Sequence, residues 1–266
     1  MSHPFVSIII PCFNEEKRLK KTRPILAAYL QQFPHQFEIV FVDDGSTDGT
    51  KILLETYKQD YVLPIRIISY SHNLGKWAAL QKAILSTASE YYLFMDADLS
   101  TDIHEIATFF SIRTKADIII WVRDAFRIQR TQWKKLLGII SKRCIRSMLW
   151  LPYTDTQCWF KLFHKKTRHL WSSLLDTRWW SDFEVLYKAQ RHGYTIYQLP
   201  VHRKDSAGSK VKKLDYITTF FSLVRISLLY TIILPLKTFF LSAYQKTNLI
   251  LEHHWIYEIL PIFSRK

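Results

Sequence analysis

The chain has 266 residues, of which 48% are hydrophobic and 15% aromatic, with only six glycines and nine prolines. This composition suits one sizeable core with an appendage, or two small domains, and it excludes the fibrous and disordered classes. Lysines and arginines number 37 against 23 acidic residues, and the formal net charge of +14 favours an anionic partner: nucleic acid, an acidic membrane or a phosphorylated substrate.

The first 122 residues alternate between strand-like and helical segments. Short runs rich in β-branched and aromatic residues predict five strands, at Phe5–Pro11, Phe37–Val42, Ile65–Tyr70, Tyr91–Met95 and Asp117–Val122. Between them, helical periodicity is found in segments such as Glu15–Gln32 and Lys76–Ala88. The strands start every 26 to 32 residues, which is typical of βαβ units. The predicted class is therefore α/β, with a mostly parallel sheet covered on both faces.

The segment Arg127–Trp150 is predicted to be a helix with one apolar stripe and basic residues largely off that stripe. Two interpretations are open. The helix packs on the core and exposes a solvated basic face, or it lies beside an anionic headgroup or membrane surface.

After Leu214 the composition becomes strongly apolar. Ile217–Ala243 is long enough to span a bilayer, which takes about 20 apolar residues, but it carries Arg225 and is interrupted by Pro235. A central arginine is disfavoured by roughly 2.5–3.5 kcal/mol. We therefore expect helices in the membrane interface, rather than a true span or a soluble core helix. This divides the chain into domains at residues 1–213 and 214–266.

Two features bear on the compartment. The three cysteines, Cys12, Cys144 and Cys158, lack metal-type spacing and are odd in number, so no disulfide framework is expected and a reducing cytosol is favoured. The first residues lead into a strand without the parts of a secretory signal. We expect the protein on the cytosolic face of a membrane.

Three carboxylate-bearing stretches follow predicted strands, at the edge where open α/β sheets place ligands. They are Pro11–Glu16 (PCFNEE), Val42–Thr50 (VDDGSTDGT) and Met95–Ser100 (MDADLS). The acids of the first two also suit helix N-termini and an Asp-Gly turn. In the third, residues two apart point the same way, so Asp96 and Asp98 can offer hard oxygen ligands to Mg²⁺ or Mn²⁺. Such a cation would bridge a nucleotide diphosphate, although this short pattern alone is common.

In their order and spacing, SIIIPCFNEE, FVDDGSTDGT, NLGK (residues 73–76) and YLFMDADLS resemble the inverting family-2 glycosyltransferases of the GT-A fold. Three further stretches, DTQCWFKLF from Asp155, DFEVL from Asp182 and AGSKV from Ala207, are similar to the branch that makes polyprenyl-phosphate sugars. Within that branch, DTQC, FKLF and GSKV look closest to the dolichyl-phosphate β-glucosyltransferase type. The resemblance covers roughly residues 5–212, and it implies a Rossmann-like GT-A domain.

The resemblance also implies roles for matched residues. The nucleotide-sugar would be bound by Pro11, Phe13, Glu15, Asp43, Asp96 and Lys210, with Lys210 on the diphosphate. The Mg²⁺ or Mn²⁺ ion would be held by Asp96, Asp98 and Ser100. Arg123 would contact the diphosphate or the acceptor phosphate, and Gln157 and Asp182 would line the sugar and acceptor side.

Three of these residues are predicted to be catalytic: Asp98, Arg123 and Asp182. A lipid phosphate is already ionised near neutral pH, so the main tasks are positioning and charge management by the metal and Arg123. If the acceptor were a sugar hydroxyl, a general base would matter more, and Asp182 is the candidate. The alternative for Asp182 is a helix N-terminus, because Ser181 and Asp182 open a helical run.

The predicted function is inverting transfer of a hexose from a nucleotide-sugar, UDP-glucose favoured, to a polyprenyl or dolichyl phosphate at the cytosolic membrane face. A GDP-mannose-dependent synthase is an alternative. So is a catalytically impaired member acting as a scaffold, because Trp77 and Trp159 stand where the family has small residues. The first strand lacks the glycine-rich turn of a nicotinamide enzyme. No nucleic-acid partner is expected, since no RNA- or DNA-binding motif is present.

Overall fold

The structure is a computed structural model that describes residues 5–33, 36–60, 64–123, 151–153, 158–172, 174 and 181–201, with isolated positions 224, 227, 228 and 232. In chain order its strands and α-helices are β1 (Val6–Cys12), α1 (Glu16–Leu30), β2 (Phe37–Asp43), α2 (Thr50–Asp60), β3 (Ile65–Ser69), α3 (Lys76–Ser86), β4 (Tyr91–Phe94), α4 (Glu105–Ile112), β5 (Ile118–Arg123), β6 (Lys161–His164), α5 (Ser181–Arg191) and β7 (Ile196–Val201). Short 3₁₀ turns follow α4 at Arg113–Lys115 and β6 at Lys165–Trp171.

Seven strands form one sheet in the order β3-β2-β1-β4-β6-β5-β7. Every neighbouring pair is parallel except those made by β6, which runs antiparallel to both β4 and β5. The predicted α/β class with a mostly parallel sheet is thus confirmed. Because β6 is reversed, it begins at the edge where the six other strands end.

The strands lie where their residues predict them. β1 and β2 are mostly apolar and are buried along nearly their whole length, including the polar residues Ser7 and Glu38, as expected for strands covered on both faces of a sheet. The five predicted strands are present with ends shifted by one residue or so, whereas β6 and β7 were not predicted. The ends shift because the last hydrogen bonds of a strand depend on the neighbouring strands, which the local sequence does not show.

Two predicted helices are shorter than expected. α1 begins at Glu16, because Asn14 has a left-handed φ of 54° and Glu15 is non-helical at φ −111° and ψ 16°. α3 ends at Ser86, because Thr87 is extended at φ −109° and ψ 156°. The first change leaves Glu15 on the connection between strand and helix, beside the other motif residues.

Several predictions lie outside the described residues. These are the helix at Arg127–Trp150, the site residues Gln157 and Lys210, and nearly all of the apolar segment from Ile217 to the tail. Backbone contacts divide the chain into units at Met1–Leu223 and Val224–Lys266, while the predicted boundary after residue 213 stays a prediction. Within the described ranges, no helix is both long and apolar enough to cross a membrane.

Candidate active site

Asn14 joins the loops that follow β1 and β2. Its side-chain oxygen accepts hydrogen bonds from the backbone N–H groups of Thr47 (2.8 Å) and Asp48 (3.3 Å), and its own N–H donates to the Ser46 hydroxyl (3.0 Å). Asparagine tolerates the left-handed conformation that this position has. Asn14 therefore links the first two motifs through these three hydrogen bonds.

The same two loops are joined again one residue further along. The Glu16 carboxylate accepts the Gly49 N–H (3.1 Å), and the Glu15 N–H donates to the Thr50 hydroxyl (2.9 Å). A Cβ on Gly49 would lie 2.6 Å from the Glu16 carboxyl carbon, so a larger residue here would force the Glu16 side chain to move. The first two motifs thus form one hydrogen-bonded surface at the edge of the sheet.

The two aspartates after β2 have different tasks. Asp43 is buried and accepts the Ser46 N–H (3.0 Å), which turns the loop. Asp44 accepts the N–H groups of Leu74 (2.8 Å) and Gly75 (2.9 Å), immediately before α3. Burial raises the pKa of the Asp44 carboxyl, and these two N–H donors oppose the rise only in part. Asp44 therefore positions the start of α3, at some cost in desolvation.

The third motif forms a tight loop after β4. The Asp98 carboxylate accepts the Ser100 N–H (2.9 Å), Leu99 has a left-handed φ of 47°, and the Thr22 hydroxyl of α1 donates to the Ala97 carbonyl (2.8 Å). The Asp96 carboxylate accepts a hydrogen bond from the Lys76 ammonium, with Nζ 2.6 Å from Oδ1. Asp96 is thus in an ion pair with the first residue of α3.

The donor set of this loop fits a divalent cation. Asp96 and Asp98 supply carboxylate oxygens, which Mg²⁺ and Mn²⁺ prefer. Within the described ranges no group of three or more His, Cys, Asp or Glu side chains is arranged as a metal site. Two carboxylates are sufficient where substrate phosphates complete the coordination, as is usual for Mg²⁺.

Three indoles lie next to this loop. Trp77, buried at the start of α3, stacks on the buried Trp171 with ring centroids 5.7 Å apart and contacts Trp159 at 5.2 Å. The Lys76 Nζ lies 3.3 Å from the Trp159 ring centroid. The two tryptophans that depart from the family pattern are therefore neighbours, and one of them covers the Lys76–Asp96 pair.

A second lysine–aspartate pair lies near the same indoles. Lys161, the first residue of β6, is paired with Asp182 in the first turn of α5, and both side chains are almost fully buried. The Lys161 Nζ is 5.9 Å from the Trp77 centroid and 5.8 Å from that of Trp159. Asp182 thus opens a helix, as one interpretation had it, and its carboxylate faces an ammonium. Its catalytic role stays a prediction.

Of the remaining predicted site residues, those that the structure describes lie at the same edge. Pro11 is in β1, Phe13 is 42% exposed after it, and Glu15 holds Arg18 through both carboxylate oxygens (2.7 and 2.8 Å). The exposed Phe13 ring suits the face of a base. Arg123 is the last residue of β5, which places its backbone at this edge. The roles assigned to these residues stay predictions.

Sequence reasoning assigned no task to Asp44, Lys76 or Lys161. A signal existed for Asp44, since successive residues at a strand end point to opposite sides, so Asp43 and Asp44 cannot share a target. Lys76 and Lys161 lie within the NLGK and FKLF motifs, but nothing in these motifs indicated which aspartates they would meet. They meet the aspartates only because α3 and the reversed β6 reach the same edge.

Comparison with known proteins identifies the family of this chain. The profile described as glycosyl transferase family 2 matches residues 7–181. The chain belongs to this family. The enzyme is therefore a glycosyltransferase, and the resemblance read from its motifs is confirmed.

Relatives within the family are named dolichyl-phosphate beta-glucosyltransferases. One from Trichomonas vaginalis is 31% identical over 241 residues, which cover 86% of this chain and 74% of the relative. One from Saccharomyces cerevisiae is 31% identical over 231 residues, which cover 78% of this chain and 69% of the relative. The glycosyltransferase belongs with this group.

Solved structures share the fold. A mannosyltransferase from Pyrobaculum calidifontis, solved with GDP-mannose and Mn²⁺, has a TM-score of 0.56 at 19% identity and matches 78% of this chain and 59% of its own, so less than two thirds of that enzyme is spanned. A glucosyl-3-phosphoglycerate synthase from Mycobacterium tuberculosis, solved with Mn²⁺, UDP and phosphoglyceric acid, has a TM-score of 0.56 at 17% identity and matches 85% of this chain and 78% of its own. At such identities the likeness concerns the fold, and it agrees with the predicted GT-A architecture.

Proposed function

We propose that this glycosyltransferase moves glucose from UDP-glucose to a dolichyl or related polyprenyl phosphate, with inversion at the anomeric carbon. The observation that carries the proposal is the match, over 86% of the chain, to a relative named for that activity. The joined first and second motif loops support a nucleotide site at the sheet edge, where doubly wound sheets bind nucleotides. The proposal includes the identity of the hexose and of the nucleotide.

We further propose that the donor binds together with Mg²⁺ or Mn²⁺ on Asp96 and Asp98, with Ser100 completing the loop. When bound, the cation would neutralise the charge that develops on the leaving diphosphate. The chain's own contribution is to hold the two carboxylates on one short loop, anchored through Ala97 to α1. The two Mn²⁺-containing structures of similar fold motivate the choice of cation.

The acceptor side of the proposal rests on charge. An ionised lipid phosphate needs little help from a base, so Arg123 at the end of β5 is proposed to orient it. Replacing Arg123 by Ala should then weaken the dependence of initial rate on polyprenyl phosphate more than nucleotide binding. If Arg123→Ala weakens only nucleotide binding, Arg123 contacts the donor and not the acceptor phosphate.

Membrane attachment at the cytosolic face is proposed from composition. The net charge of +14 and the apolar residues after Leu214 suit an anionic lipid surface. The full chain should sediment with vesicles that contain anionic lipid and should be partly released by salt. If vesicle binding depends on neither lipid charge nor salt concentration, electrostatic attraction does not contribute to membrane attachment.

The decisive experiment offers the purified full chain a polyprenyl phosphate and Mn²⁺ with UDP-glucose, UDP-galactose, UDP-N-acetylglucosamine or GDP-mannose in separate reactions. Mass spectrometry of the lipid should detect a hexosyl phosphate lipid with UDP-glucose. If a lipid product forms only with GDP-mannose, the donor is GDP-mannose and not UDP-glucose. Transfer to a free saccharide without any lipid product would overturn the acceptor.

A further inference from the structure

Lys76 holds its ammonium in a position that its own helix disfavours. It is the first residue of α3, and the N-terminal end of a helix carries partial positive charge. Two contacts offset this: the Asp96 carboxylate at 2.6 Å and the Trp159 ring face at 3.3 Å. The ammonium therefore lies between a metal-ligand candidate and an aromatic face.

This arrangement conflicts with simultaneous binding of a free cation. A divalent ion on Asp96 would meet the positive charge of Lys76 within a few ångströms, and the two cations would repel each other. The lysine is also well suited to move, since its ammonium is a compact charge on a flexible four-carbon stem. Its side chain is 30% exposed and that of Asp96 is 25% exposed, so neither is locked in the core.

We propose that Lys76 is a displaceable counter-ion of Asp96: it neutralises this carboxylate before the donor binds and transfers its ammonium to the donor diphosphate afterwards. Trp159 keeps the ammonium at the site during the exchange by offering its ring face. The inference rests on the proposed metal and nucleotide site, and it explains why a tryptophan beside that site is useful rather than damaging.

The consequence is a thermodynamic coupling between metal and nucleotide. Without nucleotide, the metal must displace Lys76 from Asp96, so Mn²⁺ alone binds weakly. With UDP present, the diphosphate receives the ammonium and Asp96 is released to the metal. Each ligand therefore strengthens binding of the other by the same factor. A lysine with a purely structural role would leave this factor unchanged.

The test measures Mn²⁺ binding to the full chain by the electron paramagnetic resonance signal of free Mn²⁺, with and without UDP. Lys76→Met should tighten binding of Mn²⁺ alone by about three- to tenfold, the scale of a partly exposed ion pair. The same variant should weaken binding of UDP in the presence of Mn²⁺ by about tenfold, the scale of a charge-assisted hydrogen bond. The distinguishing result is that Lys76→Met binds Mn²⁺ alone more tightly and UDP with Mn²⁺ more weakly.

Two further variants sharpen the test. Lys82→Met removes an exposed lysine from the same helix and should change neither affinity. Trp159→Leu should shift both affinities in the same directions as Lys76→Met but by less, and Trp159→Phe should restore most of the difference because a ring face remains.

The outcomes separate this inference from the proposed function. If the unmodified chain binds Mn²⁺ with UDP but Lys76→Met leaves the affinity for Mn²⁺ alone unchanged or weaker, the counter-ion role is wrong and the metal site stands. If the unmodified chain binds no Mn²⁺ even with UDP, both are overturned.

Discussion

Two lysine–aspartate pairs lie near the same indoles and differ in their exposure to water. The Lys76–Asp96 pair lies at the open edge of the sheet, with side chains 30% and 25% exposed, while in the Lys161–Asp182 pair they are 1% and 4% exposed. The chemical groups are identical. What differs is access to water, and this decides whether a pair can exchange its partner.

The comparison shows how burial assigns a role to an ion pair. Separating a buried pair leaves a charge without solvent, so Lys161 and Asp182 tie β6 to α5 firmly. Separating an exposed pair has little effect on stability, because water replaces the lost partner. The first kind suits a structural link beneath a site, and the second suits a ligand-dependent exchange within it.

The largest expected effect breaks the buried pair. Lys161→Met should lower the free energy of unfolding by about 3–5 kcal/mol, because Asp182 would keep a buried charge without its ammonium. Lys161→Met combined with Asp182→Leu should recover most of that loss. Denaturant titration of the purified variants measures both.

Lys165→Met is the matched control for that measurement. Its ammonium pairs with Glu90 at 2.6 Å, but the side chains are 56% and 33% exposed. The expected loss is below about 1 kcal/mol. A Lys161→Met variant as stable as this control would show that the buried pair does not stabilise the fold.

A second prediction concerns the carboxylate beside the open pair. Asp98→Asn keeps a side-chain oxygen for the Ser100 N–H, so the loop and the fold should persist. The change removes one charge from the proposed metal site, and transfer should slow by about 10²–10³-fold, equivalent to a loss of ~3–4 kcal/mol. Initial rates at limiting Mn²⁺ measure the effect.

Asp102→Asn provides the control, because Asp102 makes the same type of turn with the His104 N–H (3.0 Å) on an exposed part of the chain. It should leave turnover unchanged. Near-normal turnover of Asp98→Asn at limiting metal would remove Asp98 from the metal site.

The smallest of these effects tests loops that are joined by hydrogen bonds rather than ions. Asn14→Gly keeps the left-handed backbone accessible but removes the oxygen that accepts from Thr47 and Asp48. The free energy of unfolding should fall by about 1–2 kcal/mol, and UDP affinity should fall with it, as calorimetry would measure. Gln32→Ala, which removes an exposed side-chain amide that bonds to Ala28, should change neither. Unchanged UDP affinity in Asn14→Gly would separate the loop connection from nucleotide binding.

Local patterns were sufficient for the first half of the fold. Five strands were predicted because each is a short run rich in β-branched or aromatic residues, a pattern that does not depend on distant residues. The β6 strand, by contrast, has four residues and contains a buried lysine. Nothing local marks such a segment as the strand between β4 and β5.

The candidate site divides in the same way. Asp96 and Asp98 could be proposed from the sequence because they are two residues apart in one motif, and their role as metal ligands stays a prediction. Trp77 and Trp159 were noticed as departures, but their contact with each other and with Lys76 was not predictable from residues 82 positions apart. Side-chain contacts between distant segments need the three-dimensional arrangement.

The sequence by itself determined the α/β class, the order of the motifs and the family, because strand periodicity and motif spacing are local properties. Only the tertiary structure decided that β6 is antiparallel to its neighbours and begins at the edge of the sheet that carries the candidate site. That reversal brings Trp159 and Lys161 beside α3 and the Asp96 loop. The physical reason is that the partner and the burial of a charged side chain depend on which chain segments meet. Partner and burial then determine whether an ion pair can exchange or serves a structural role.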